Sequence, residues 1–72
     1  MTYKQIYDIV RKQVQQNAIL RVDDNAFIPF DPANTDYANF KAQINADEAQ
    51  LEDADGDVMS ADAAKTYVAT LP

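Results

Sequence analysis

Two prolines three residues apart, Pro29 and Pro32, constrain this chain more than any other feature. Proline fixes its own φ and removes a backbone donor. It also pushes the preceding residue, here Ile28, towards extended geometry. Ala26 to Phe30 therefore reads as an extended segment, and a strand that contains Pro29 must lie at the edge or the end of a sheet. Asp31-Pro32-Ala33-Asn34 reads as a type I turn, with Asp first and Pro second. Asn34 or Thr35 then caps a helix, and Asp36 falls where the helix dipole favours negative charge. Tyr37, Phe40 and Ile44, at i, i+3 and i+7, form the buried stripe of that helix.

The flanking segments complete an α+β pattern. Residues 3–14 fit two templates. Tyr3, Ile6, Tyr7, Val10 and Val14 make a helical stripe, whereas Ile6 and Val10, or Tyr7 and Ile9, also fit the alternating faces of a strand. Gln13 to Asn17 is a polar break suited to turning a hairpin. Ile19 to Val22 is a short strand with Leu20 and Val22 on one face and Arg21 on the other. Asp23-Asp24-Asn25 is a turn, because these side chains bond their own backbone and tolerate left-handed geometry. The central helix stops near Asn45, since continuing it would put Asp47 in the core. Leu51 to Met59 reads as a small hairpin around Asp53-Ala54-Asp55-Gly56, where glycine supplies a positive φ. Ser60 caps a last helix that carries Asp62 in its first turn and Ala64, Tyr67, Val68 and Leu71 on one face, with Met59 stapled to Ala64. The expectation is a single domain over residues 1–72, a small N-terminal β-hairpin or sheet packed against two short helices.

A chain of 72 residues buries only about 60% of the surface that its unfolded form exposes. Such a core supplies about 3–5 kcal/mol without further support. Cysteine and histidine are both absent, so disulfides, thiolate sites, the commonest metal ligand and the commonest general base are excluded. Self-association or a partner is the remaining support. The net charge of -6 disfavours nucleic acid and anionic membranes as partners. Charge is also split along the chain. Residues 1–21 carry Lys4, Arg11, Lys12 and Arg21 against Asp8, and residues 22–72 carry eleven carboxylates against Lys41 and Lys65. A basic end and an acidic end suit head-to-tail docking of copies, or docking of the acidic face on a basic protein. No stretch reaches the ~20 apolar residues of a membrane span, and residues 1–20 hold no long apolar run. The expected location is the cytoplasm or a larger particle assembled there.

Three chemical readings compete with a plain binding role. Asp53, Asp55 and Asp57 alternate like the first three ligands of an EF-hand loop. However, Gly56 comes before the third acid, and the position of the closing glutamate holds Ala64. A hairpin turn explains the same residues, so the three aspartates are only weak metal candidates and no cofactor is expected. Paired carboxylates for acid–base work need a partly dry pocket, and a domain of this size is not expected to form one of ~300 Å3. No Ser or Lys lies in a nucleophile motif, so an enzyme is not expected. The acid-rich stretch from Asp47 to Asp62 suggests an inhibitor that mimics DNA and binds a basic host protein. Among the tyrosines, Tyr37 and Tyr67 lie on helical stripes and read as core. Tyr3 and Tyr7, together with Arg11 and Lys12, are the candidate interface residues.

The segment Ala26-Phe27-Ile28-Pro29-Phe30-Asp31-Pro32-Ala33-Asn34-Thr35-Asp36-Tyr37 resembles one found in small proteins of tailed bacteriophages, including cyanophage and XkdW-like proteins, and one attached to tail-fibre and tail-fibre-assembly sequences. The shared residues are Ile28, Pro29, Asp31, Pro32, Asn34, Asp36 and Tyr37, with the aromatic Phe40 three positions on. Ile19 to Asn25 resembles the family's strand and turn, and Asp53 to Met59 and Ala64 to Pro72 resemble the end of the cyanophage versions. The likeness covers about two thirds of the chain and marks a family rather than an activity. It implies a virion-associated or tail-assembly role, other phage structural proteins or further copies of the chain as partners, and a strand over residues 3–10. It supplies no catalytic residue.

Overall fold

The computed structural model describes residues 1–72, the side chain of Gln16 excepted. The elements run β1 (Thr2–Asp8), β2 (Gln13–Arg21), β3 (Ala26–Pro29), α1 (Thr35–Asn45), β4 (Gln50–Glu52) and α2 (Ala61–Ala69). The strands form one sheet in the order β3-β2-β1-β4. β1 and β3 both pair antiparallel with β2, and β4 pairs parallel with β1. The fold is α+β, as the alternation of strand and helix signals implies.

The N-terminal ambiguity resolves as strand over Thr2–Asp8, ending two residues short of the 3–10 that the resemblance implies. β-branched and aromatic side chains fit a pleated, half-buried surface better than a helix face. The turn lies earlier than the polar break suggests. Gln13 to Asn17 belongs to β2, and Ile9 to Lys12 makes the bend. Asp8 decides this, because its carboxylate accepts from the Val10 and Arg11 amides at 2.9 and 3.1 Å. Lys12 closes the bend in left-handed geometry, with φ at 56°. The pairing register shifts between Gln5 and Tyr7, which is the signature of a bulge. β4 reaches β1 only at Thr2 to Lys4, and β3 reaches β2 only from Ala18 onwards. The distal hairpin therefore projects as a two-stranded ribbon.

One face of the sheet holds the core. Tyr3 stands beside Leu51, and Ile19 beside Ile28, and all four are buried. Phe30, Tyr37, Phe40 and Ile44 cover them from the connector and α1, and Ala64 and Val68 from α2. The Tyr3 and Phe40 rings meet edge to face at 4.8 Å, a favoured arrangement of aromatic quadrupoles. Tyr3 also donates its hydroxyl hydrogen to Gln43 at 2.7 Å. The α1 crossover carries the chain from one sheet edge to the other. Three strand spacings span about 14 Å, and its eleven residues rise about 16 Å.

The Pro29–Pro32 segment folds as its chemistry dictates. The Phe30 amide donates to Asn17 at 2.9 Å. By the alternation of an antiparallel ladder, Pro29 then sits where an N–H would face away from β2, so its missing donor costs no ladder bond. Asn34 donates to the Asp31 carbonyl at 2.8 Å, closing the turn. The Asn34 side chain accepts from Tyr37 at 3.1 Å, capping α1. At the other end Asp47 adopts φ 59°. The Glu48 and Asp47 amides then reach the Gln43 and Ile44 carbonyls at 2.9 and 3.2 Å, a Schellman closure without glycine. The second hairpin is reduced to a single bridge between Glu52 and Val58, held by the Asp53 amide on the Asp57 carbonyl and the Met59 amide on the Leu51 carbonyl, both at 2.8 Å. Ser60 caps α2 through the Ala63 amide at 3.1 Å.

Candidate interaction surface

Asp31, Asn34 and Asp36 in the Ala26–Tyr37 segment are all engaged within the fold. Asp31 shapes its turn, accepting from Ala33 at 3.0 Å, and Asn34 caps α1. Asp36 lies 3.4 Å from Arg21, which also grips Asp24 at 2.8 Å. This cluster ties the end of β2 to the start of α1. The Arg21 bond is the main cause that holds Asp24 below the usual carboxylate range. Ile28, Tyr37 and Phe40 are core, while Pro29 and Pro32 are exposed. The segment builds the fold and leaves no free polar group convergent on a pocket.

The candidate interface residues divide. Tyr3 is 1% exposed and does not belong to a surface. Its ring packs on Phe40, and burial is the main cause that raises its phenol pKa. Tyr7, Arg11 and Lys12 are exposed and lie together on the projecting ribbon. Two neighbours of theirs were not anticipated as contact residues. Ile9 and Val10, at the tip, are 79% and 87% exposed. A β-branched pair inside a turn was the available signal, hidden because both residues also fit the strand and helix templates.

The sheet face away from the helices carries a second apolar group. Cross-strand partners share a face, and Lys4 pairs with Leu20, Leu20 with Phe27, and Lys4 with Glu52. Phe27 is 71% exposed on this face. Ile6, Leu20, Phe27 and Ala54 line a shallow hollow of about 240 Å3. The Asp53–Asp57 loop borders it, with the Lys4 ammonium beside Gly56.

The acidic loop is built as a turn. Asp53 accepts from the Asp55 and Asp57 amides at 2.9 and 3.1 Å, and Gly56 supplies φ 93°. Among the described residues no three acidic side chains converge on a point that could hold a metal ion. Two open hollows exceed the size expected of so small a domain. One, of about 440 Å3, lies between Thr2 and the Asp47–Gln50 segment. The other, of about 400 Å3, lies between Tyr67 and Pro72. In the first, Asp47 is paired with Lys65 at 3.0 Å. No helix is long and apolar enough to cross a membrane.

Compared with family models, curated proteins and solved structures, the chain matches none.

Proposed function

We propose that the chain is a bacteriophage virion-associated or tail-assembly protein that acts through protein–protein contacts and performs no catalysis. One observation carries the contact role: Phe27 on the outer face and Ile9 and Val10 at the tip are left largely exposed. A monomer of this size gains nothing by presenting three large apolar side chains to water, whereas an interface uses them. The phage setting is supported by the resemblance of the Ile28–Phe40 segment. Within the Asp47–Asp62 stretch, Asp47 is paired with Lys65 and Asp53 is taken up by the Asp55 and Asp57 amides. This favours the contact reading over an acidic DNA mimic, which needs its carboxylates free and densely arrayed.

Mass spectrometry of purified particles and of tail-assembly intermediates tests the proposal. The chain is expected in one or both at a fixed ratio to the tail proteins. Its absence from both overturns the assembly role. Recovery instead of a basic host protein in a pull-down, lost steeply as salt rises, supports the inhibitor.

A further inference from the structure

The hairpin tip and the outer sheet face have matching chemistry. The tip offers Ile9 and Val10 with the cations Arg11 and Lys12 beside them, all exposed, and Asp8 3.9 Å from Arg11 leaves it a formal charge of +1. The outer face offers an apolar floor of Ile6, Leu20 and Phe27. Its border carries Glu52, Asp53, Asp55 and Asp57 against Lys4 alone, a formal charge of -3. What the tip lacks is an apolar recess with an acidic rim, and the face is one. In the folded chain the tip does not fill its own face: none of residues 9–12 lines the hollow, and the pairing of Tyr7 with Val14 and Asp8 with Gln13 carries the tip beyond the sheet.

We propose that the outer face is the docking site for the hairpin tip of a second copy of this chain. Ile9 and Val10 enter the hollow beside Phe27, and Arg11 and Lys12 meet Asp55 and Asp57. Every copy carries both halves, so the contact can be made reciprocally or passed along a row. The net charge of -6 opposes the approach of copies at long range. Screening over about 8 Å at physiological salt removes most of that repulsion and leaves the pairs in contact. A tip of this size buries less than the ~1,200 Å2 of a standard interface, so one contact is transient and holds where copies are concentrated. The inference rests on reading this surface as a protein contact, and it names the partner.

Sedimentation of the purified chain over a range of concentrations at physiological salt tests it, independently of whether the chain is found in particles. Two variants are compared with the wild type: R11E/K12E in the tip and D55K/D57K on the face. Asp55 and Asp57 contribute only backbone groups to their turn, so the second variant keeps its fold, which circular dichroism verifies for both. The wild type is expected to gain average mass with concentration, and each variant to associate at least about tenfold more weakly. An equimolar mixture of the two regains wild-type association, because an acidic tip then meets a basic face and a basic tip an acidic one. Phe27→Ser weakens association in the same assay. A wild type that stays monomeric, charge reversals without effect, or a mixture that associates no better than its parts overturns the proposal.

Discussion

Replacing Tyr67 with Phe should make the protein more stable, not less. The Tyr67 hydroxyl is buried and has no hydrogen-bond partner among the described residues. Burial is the main cause that raises its pKa, and the proximity of Gln5 partly offsets this. That proximity falls short of a bond, since distance and angle decide whether a hydroxyl is satisfied. A buried polar group without a partner costs about 1–3 kcal/mol. The ring is retained in the variant, so no cavity is opened. Tyr67 is only partly buried, which favours the lower end, a gain of about 1 kcal/mol. For a domain of this size that raises Tm by roughly 4–8 °C. Urea denaturation followed by circular dichroism measures it, with an unchanged slope as the sign that the native state alone has altered. Tyr3→Phe provides the opposite control, because the Tyr3 hydroxyl is bonded to Gln43 and its loss costs about 1 kcal/mol. A lower midpoint for Tyr67→Phe would show that the hydroxyl is satisfied, through Gln5, and would refute the reasoning.

Phe40→Ala removes the ring on which Tyr3 packs and should cost about 3–5 kcal/mol. That is comparable with the whole stability of so small a core, so loss of the folded circular-dichroism signal at room temperature is the expected result. Asn34→Ala deletes the α1 cap and should lower the urea midpoint by the equivalent of about 1 kcal/mol; an unchanged midpoint would mean that the Asp31 turn alone starts the helix. Burial raises the pKa of Tyr3, Tyr37 and Tyr67 in the folded state. The native state then holds its phenolic protons more tightly than the unfolded one. Stability is complete below the ordinary tyrosine pKa of about 10 and is lost as pH rises above it. In a Tyr7→Phe background, tyrosinate absorbance should rise together with loss of helix signal, and ionisation within an intact fold would contradict this.

The strand, turn and helix start around Pro29 and Pro32 were legible because proline and an Asn cap act locally. Tyr37, Phe40 and Ile44 were legible because helical spacing selects a face. The hairpin bend was misplaced because it is made by Asp8 bonding forward to two amides, without glycine or a run of turn residues. The parallel docking of β4 on β1 was illegible because it joins residues about fifty apart through tertiary packing. Tyr3 reads as a surface residue because the sequence does not say which face of a strand the helices will cover. The same gap hid the outer face: Leu20 was assigned a side opposite Arg21, and only the partnership with Phe27 shows that side to be an exposed apolar one.

The placement of Pro29 bears on how copies can be crowded without harm. The outward edge of β3 lacks a donor at Pro29, and the outward edge of β4 is met by Val58. An added strand would find a broken row of amides at either border of the four-stranded region. Concentrated protein should therefore resist cross-β polymerisation there, and copies that gather by their faces can separate again instead of growing into a fibril.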